Sequence, residues 1–311
     1  MTMNEKVKEL LKKYDLLLVF LVILIVVAVF RARSFYNLRN ISSILKLSAL
    51  IGIATLGESL VLLVKGVDIS VGAIMGFTSV LVALLIQPYG MVVAIVVPLL
   101  VCAVIGLANG LLVVKGKIPP IIATLGMMWC LRGIGGTITG GKLIRIVNKT
   151  YTGIAGASLM KVFPYFFLGL LATGVVAYIV LTHTHIGRHL YAVGGNEEAA
   201  YYSGINVDTM KVFVFTIAAV CYGIAGIFMA SYIRSGTFSL AEGYEFRAIT
   251  AAALGGVALS GGEGNILRAL LGAVILTALY SVLTIFSISP YLRGIFEGVI
   301  LIGAVYVCLK K

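Results

Sequence analysis

Long apolar runs dominate this sequence and constrain its fold more than any other feature. Most extend for about 15 to 24 residues, close to the ~20 residues that a helix needs to cross a bilayer. Within lipid every backbone polar group needs an internal partner, which a helix provides. The composition agrees, because 60% of the residues are hydrophobic and only 12% are charged. The sequence therefore predicts an all-α polytopic membrane protein, with one membrane domain over residues 1–311.

About ten spans are predicted, and some are expected to be broken or re-entrant. The glycine pairs Gly255-Gly256 and Gly261-Gly262 would interrupt a helix, which a membrane tolerates where the backbone is buried in protein or lines a cavity. The basic, then apolar N-terminus has no small-residue cleavage site, so a retained first span is expected. The predicted spans are 15–30, 43–64, 68–86, 91–113, 119–138, 164–182, 211–233, 246–262, 266–286 and 291–308.

An even number of spans places both termini on one side of the membrane, which we expect to be the cytoplasmic side. Of the 24 Lys and Arg residues, 12 then fall on the inner side and 10 on the outer side, with Lys46 and Arg132 inside spans. The positive-inside rule favours this orientation only weakly. Many cations are left on the outer side.

The residues give no pattern for catalysis, a metal or a nucleotide. His183, His185 and His189 cluster without nearby Cys or paired carboxylates, which argues against a metal site. Residues 136–142 fit the first seven positions of a phosphate loop, but Leu143 stands where Ser or Thr would hold magnesium. The net charge of +12 is scattered rather than gathered in a patch, which argues against nucleic-acid binding.

A polar loop at about residues 183–210 is predicted on the inner side. The turn signal Gly194-Gly195-Asn196 precedes a short helix over 197–203, with two acids near its positive end. Such an exposed helix can dock into a groove on another protein. A solvated connector is the alternative interpretation.

Four segments, in order, resemble the sugar permeases of ATP-binding-cassette importers of the ribose, xylose and galactose type. They are GVDISVGA, ANGLLVVKGKIPPIIATLGMMWCLRGI, AVGGNEEAAYYSGINV and GYEFRAITAAALGGVALSGGEGNILRALLGA. The likeness extends over nearly the whole chain. Two positions depart from the family pattern: Arg247 stands where an acid is usual, and Glu263 stands where a basic residue is usual.

The resemblance implies the importer permease fold and its partners. These are a second permease copy, two cytoplasmic ATPase subunits that use ATP and magnesium, and an extracytoplasmic sugar-binding protein. The permease itself would bind no cofactor and would lie among lipids in a bacterial cytoplasmic (inner) membrane. The resemblance assigns ATPase coupling to residues of the polar loop, namely Gly195, Asn196, Glu197, Glu198, Ala199, Ala200 and Gly204.

The carboxylate of Asp68 stands between two apolar runs. Aspartate is a preferred helix N-cap, so we expect Asp68, with Ser70, to cap the helix that follows. The alternative is a gate or sugar contact, because intramembrane carboxylates are functional candidates. Asn109 and Trp129 are candidates for lining a path, although packing is the alternative for Trp129.

The cations on the predicted outer side suggest a docking surface. Complementary charge steers association and fixes its register, so we expect some of them to contact acidic residues of a binding protein. The candidates are Arg31, Arg33, Lys142, Arg145, Arg234 and Arg247.

The sequence thus predicts a permease subunit of a monosaccharide importer that works by alternating access. An ion-coupled secondary transporter is the alternative from another class, and it would need intramembrane acids, for which Asp68 and Glu58 are the candidates. A permease for a non-sugar solute is a nearer alternative. A passive channel lacks support, because no segment resembles a selectivity filter.

Overall fold

Helices make up almost all of the ordered elements. The computed structural model describes residues 21–22, 24–25, 29–159 and 163–309. The helices, numbered from Ala32, are α1 (Ala32–Phe35), α2 (Leu38–Leu63), α3 (Val71–Val114), α4 (Pro120–Thr139), α5 (Lys149–Ile154), α6 (Tyr165–His183), α7 (His185–Gly195), α8 (Glu197–Tyr202), α9 (Val207–Ile233), α10 (Tyr244–Leu254), α11 (Ile266–Ile285) and α12 (Pro290–Leu309).

Two short antiparallel pairs join loops rather than building a sheet. Strand β1 (Ile144–Arg145) pairs with β4 (Ser235–Gly236), in the register Ile144 to Gly236 and Arg145 to Ser235. Strand β2 (Ser158–Leu159) pairs with β3 (Phe163–Pro164). The first pair ties the loop after α4 to the end of α9.

Six of the described helices are long and apolar enough to cross a membrane, namely α2, α3, α4, α6, α9 and α11. Their bounds follow the predicted spans closely. The span predicted over 15–30 lies mostly outside the described residues, although 21–22, 24–25 and 29–30 are helical. Helix α12 covers the last predicted span.

Helix α3 contains two of the predicted spans. Its 44 residues would extend about 66 Å, twice the ~30 Å of the hydrocarbon layer. Gly90, at φ 80° and ψ 179°, is not helical and lies between the two proline residues of the helix, Pro88 and Pro98. This break separates the spans predicted over 68–86 and 91–113.

The span predicted over 246–262 is wrong in length. Helix α10 has 11 residues, a rise of about 16 Å or half of the hydrocarbon layer. It ends where a Cβ on Gly255 would overlap the backbone of Ala269, and where Gly256 takes a left-handed φ of 83°. The glycine cluster therefore breaks the helix, as its sequence predicts, and residues 255–265 continue without a helix.

Helix α2 forms the centre of the fold. Every residue from Ser48 to Leu63 is buried, and the helix packs against α6, α9, α10 and α11. Helix α9 also packs along α3, where Gly106 lies against the backbone of Phe215 and Thr216, and Gly110 against Val212. Close packing at such small residues drives helix association where lipid supplies no hydrophobic force. The four-residue spacing of Gly106 and Gly110 thus lets the backbones of α3 and α9 approach closely.

We predict that Gly106→Val destabilises the chain, whereas Gly126→Val does not. A Cβ at Gly106 would overlap the Phe215 carbonyl oxygen and lie 2.7 Å from the Ala219 Cβ, while nothing lies within 4 Å of a Cβ at Gly126. Both variants carry the same change in helix propensity, so overpacking of about 1–3 kcal/mol separates them. Thermal unfolding of the purified chain measures the difference. Equal unfolding temperatures would contradict this packing.

Candidate functional site

The predicted polar loop folds as a helical hairpin at one end of the bundle. Asn196 has an extended backbone, and its side chain accepts a hydrogen bond from the Ala199 N–H at 3.0 Å, which caps the short helix α8. Gly204 closes the helix with a left-handed φ of 82°. Within α8, Ala200 is buried, whereas Tyr201 and Tyr202 are 68% and 79% exposed. The helix thus presents a polar and aromatic surface outward.

The two acids of α8 have different surroundings. Glu197 pairs with Lys211 of α9 at 2.7 Å, so it ties the hairpin to a membrane-spanning helix. Glu198 is exposed and forms no ion pair within the described part of the chain. Its carboxylate is therefore available to a partner.

The base of the hairpin is held by a contact of three backbone segments, which we call the coupling junction: Leu63–Lys65, Gly194–Gly195 and Gly261–Gly262. The Gly262 N–H donates to the Leu63 carbonyl at 3.0 Å. A Cβ on Gly194 would overlap that carbonyl oxygen and lie 2.5 Å from the Gly262 nitrogen. The Lys65 ammonium donates to the Gly195 carbonyl at 3.2 Å. The hairpin is therefore in direct contact with the end of α2 and with the glycine-rich segment.

Tyr191 supplies a further tie at the junction. Its hydroxyl donates to the Gly264 carbonyl at 2.9 Å. Burial raises the pKa of this hydroxyl, which keeps it protonated as a donor. Glu263, one of the two departures from the family pattern, is exposed beside this contact. Glu263 therefore lies at the same end of the bundle as α8.

A buried polar cluster lies just inside the coupling junction. It consists of Glu58 on α2, Asp68 and Ser70 in the connection to α3, Asn109 on α3 and Tyr222 on α9. The Glu58 carboxylate accepts hydrogen bonds from the Tyr222 hydroxyl at 2.9 Å and from the Asp68 N–H at 3.2 Å. Glu58 therefore pairs with neighbouring polar groups, as its sequence position predicts.

Asp68 holds the turn that leads into α3. Its Oδ1 accepts from the Ser70 N–H at 2.8 Å and from the Ser70 hydroxyl at 2.5 Å. Helix α3 begins at Val71, so Ser70 occupies the N-cap position and Asp68 lies two residues before it. Asn109 donates to the Ser70 hydroxyl at 3.1 Å. Asp68 Oδ2 and Asn109 Oδ1 are buried without a partner in the described part of the chain.

The two candidates for path lining lie in different environments. Asn109 is fully buried in the polar cluster. Trp129, on α4, is 65% exposed, so its ring does not pack in the interior of this chain. The structure brings Asn109, but not Trp129, next to Asp68.

Five of the six candidate docking cations are exposed, and Arg247 is not. The β1–β4 pair brings Arg145 next to Ser235, one residue after Arg234. Arg31 lies 5.5 Å from the ring centroid of Phe286. Arg247 instead pairs with Glu297 of α12 at 2.7 Å and is half-buried. Sequence reasoning missed Glu297, although an acid inside a predicted span is a usable signal.

Comparisons with known proteins identify the family of this chain. The family described as branched-chain amino acid transport system / permease component matches residues 40–305. The ribose import permease protein RbsC of Escherichia coli K12 is 34% identical over 303 residues, or 94% of this chain and 93% of that protein. The chain belongs to this permease family. Family members are membrane transport components rather than enzymes, as the sequence predicted.

Two further relatives are named for the import of ribose and of autoinducer 2. RbsC of Bacillus subtilis 168 is 34% identical over 293 residues, 94% of the permease and 91% of the relative. The autoinducer 2 import system permease protein LsrC of Yersinia pseudotuberculosis serotype O:3 (strain YPIII) is 33% identical over 272 residues. This alignment covers 87% of the permease and 77% of the relative. No solved structure matches the permease.

We predict that Gly194→Ala destabilises the permease and that Gly195→Ala does not. The added methyl group at Gly194 would force Leu63 and Gly262 apart, whereas nothing lies within 4 Å of a Cβ at Gly195. Overpacking of this kind costs about 1–3 kcal/mol. The neighbouring variant is a matched control in thermal unfolding of the detergent-solubilised permease. A loss of stability in both variants would show that the junction is not the cause.

At Asp68 we expect Asp68→Asn to retain the fold and Asp68→Leu to lose about 1–3 kcal/mol of stability. Asparagine keeps an oxygen for the Ser70 N–H, and its amide would offer a donor in a place where two buried oxygens lack one. Leucine leaves the Ser70 N–H unsatisfied. Thermal unfolding and uptake measurements check this pair. Equal loss in both variants would indicate that the negative charge itself is required.

Proposed function

We propose that the permease is the membrane subunit of an ATP-driven, binding-protein-dependent importer of a monosaccharide, either a ribose-like pentose or a hexose. The coupling junction is the observation that carries this proposal. It joins the end of α7, which directly precedes the exposed helix α8, by backbone contacts to α2 and to the segment between α10 and α11. A push on α8 would therefore pass through Gly194 and Gly195 to two membrane elements. The ribose import permeases among the relatives support the substrate class.

The proposed machine contains partners outside this chain. Two cytoplasmic ATPase subunits would bind ATP and magnesium and dock on residues 195–204. A second permease copy would complete the path, and the exposed Trp129 ring is available to lipid or to that copy. The proposed topology has about ten spans, in a bacterial inner membrane with both termini in the cytoplasm. It counts α3 as two crossings separated at Gly90, and counts α10 together with the non-helical segment after it as one crossing.

Alternating access follows from how the junction is built. ATP-driven closure of the ATPases would move α8 and, with it, the end of α7, where Gly194 lies against the backbones of α2 and of the 255–265 segment. The buried polar cluster holds the α2–α3 corner rigid during this motion, so Asp68 has a structural role in this proposal. High affinity for sugar is not required of the path, because the binding protein captures the substrate.

Two alternatives each have one observation in their favour. The relation to an autoinducer 2 permease favours a non-sugar small solute. The buried carboxylates Glu58 and Asp68 favour ion coupling, since such acids hold ions in secondary transporters. Both acids are hydrogen-bonded to protein groups, which fits a structural cluster better.

The deciding experiment is uptake of labelled pentoses and hexoses into sealed proteoliposomes. The vesicles contain the permease with its ATPase, ATP inside and binding protein outside, with and without an ionophore. The proposal expects uptake that requires ATP and binding protein and survives the ionophore. Uptake by the permease alone that collapses with the ionophore would establish the secondary-transporter alternative.

For the docking helix we predict that Glu198→Gln lowers ATP-driven uptake and that Asp208→Asn does not. Both residues are exposed acids in the first turn of a helix, but only Glu198 lies on α8. Loss of a charged contact to the ATPase lowers coupling about tenfold. The unfolding temperature should stay unchanged in both variants. Equal uptake by the two variants would remove Glu198 from the docking surface.

For the outer cations we predict that raised salt slows the ATP hydrolysis that the binding protein stimulates. Arg31, Arg33, Lys142, Arg145 and Arg234 are exposed, so ions screen them readily. Arg247 is omitted from this set, since its charge is paired within the permease. Basal hydrolysis without binding protein is the control. Stimulated hydrolysis that is insensitive to salt would contradict the docking surface.

A further inference from the structure

A cavity with polar and apolar walls lies between α2, α10, α11 and α12, at a distance along the helices from the buried polar cluster. Its volume is about 480 Å³, within the range of small-molecule sites. All of its lining side chains are polar except Ile44, Leu47, Ile51 and Ile285. Several of these polar side chains are already hydrogen-bonded within the chain, such as Ser281 to Asn40 at 2.7 Å, so the cavity combines polar groups of fixed position with an apolar surface.

A charged pair forms one wall of this cavity. Arg247 on α10 donates to Glu297 on α12 at 2.7 Å. The guanidinium also lies 5.1 Å and 5.0 Å from the ring centroids of Tyr244 and Tyr280. These contacts fix its position. Its Nε is buried behind the wall and has no acceptor within the described part of the chain.

The position of the cavity relates it to transport. Helix α2 contributes residues from its first half, beginning with Asn40, whereas the coupling junction forms at the other end of the helix, at Leu63. The cavity is therefore at the end far from α8, where a binding protein would dock. Helix α10 begins at the cavity with Tyr244 and ends at Leu254, directly before the glycine-rich segment of the junction. One short helix thus connects the cavity with the coupling hairpin.

The chemistry of the wall matches a neutral polyhydroxylated solute. A carboxylate accepts hydrogen bonds from vicinal hydroxyl groups, and a guanidinium donates to ring and hydroxyl oxygens. Ser43, Ser281 and Thr284 add hydroxyl oxygens. Ile44, Leu47 and Ile51 form the apolar side of the cavity.

We infer that this cavity is a monosaccharide-binding site within one permease copy. The site would receive sugar from the outer end of the bundle, and Glu297 and Arg247 would contact the sugar. This inference rests on the proposed function. It also gives a role to Arg247, at which this chain departs from the family pattern. The Arg247–Glu297 pair also joins α10 to α12, so a test must separate sugar contact from structural support.

The test uses the full-length permease in lipid nanodiscs without binding protein. Saturation-transfer NMR with D-ribose as the probe measures direct binding, and D-glucose and glycerol 3-phosphate are competitors. The variants are Glu297→Gln, the exchange pair Arg247→Glu with Glu297→Arg, and the control Glu242→Gln. Glu242 is matched to Glu297, because it is the carboxylate of another ion pair, with Arg132, outside the cavity.

The inference expects saturable ribose binding that Glu297→Gln weakens about tenfold and that Glu242→Gln leaves unchanged. The exchange pair should unfold at the wild-type temperature, since it restores the ion pair, but it should not restore binding. Restored binding would show that the ion pair is only structural and would overturn the inference. So would an unchanged dissociation constant in Glu297→Gln, or the absence of saturable ribose binding.

The competitors identify a different occupant. Binding of glycerol 3-phosphate that ribose does not displace would mark an anion or lipid-headgroup site and would also overturn the inference. Failure of the proposed function is distinguished by the proteoliposome assay. If ATP-dependent sugar uptake persists while ribose does not bind the cavity, the importer stands and only this site is withdrawn. If uptake is absent as well, both proposals fail.

Discussion

Close approach of backbones at glycine is the constraint on which the rest of this permease depends. Lipid tails are as apolar as the helix surfaces, so helices associate through contact and hydrogen bonding rather than through exclusion of water. Helix α9 meets α3 at Gly106 and Gly110, and it meets α2 at Gly57, where a Cβ would lie 2.9 Å from the Ala218 carbonyl oxygen. These contacts position Tyr222 against Glu58 and so assemble the buried polar cluster.

The same constraint explains how a force applied outside the membrane would reach its interior. The hairpin of α7 and α8 could be attached by flexible side chains, but Gly194 instead brings backbone against backbone. Main-chain atoms have little freedom to yield, so displacement of the hairpin becomes displacement of α2 and of the segment after α10. The ion pair of Glu197 with Lys211 adds α9 to the elements that move together.

The two departures from the family pattern lie at opposite ends of this assembly. Glu263 is exposed beside the coupling hairpin, and Arg247 is paired with Glu297 in the wall of the cavity. Helix α10 and the glycine-rich segment connect the two places. A change at either end therefore acts on the same continuous segment of the chain.

The sequence by itself determined the membrane class, most of the helix bounds, the capped helix α8 and the break after α10, because these depend on local hydropathy, capping residues and glycine backbone freedom. It did not show that Leu63, Gly194 and Gly262 share one contact, that Glu58 binds both Tyr222 and Asp68, or that Arg247 is removed from the outer surface by Glu297. Those facts were decided only by the tertiary structure. Each depends on groups far apart in the chain, and their meeting is set by how closely neighbouring helices can pack.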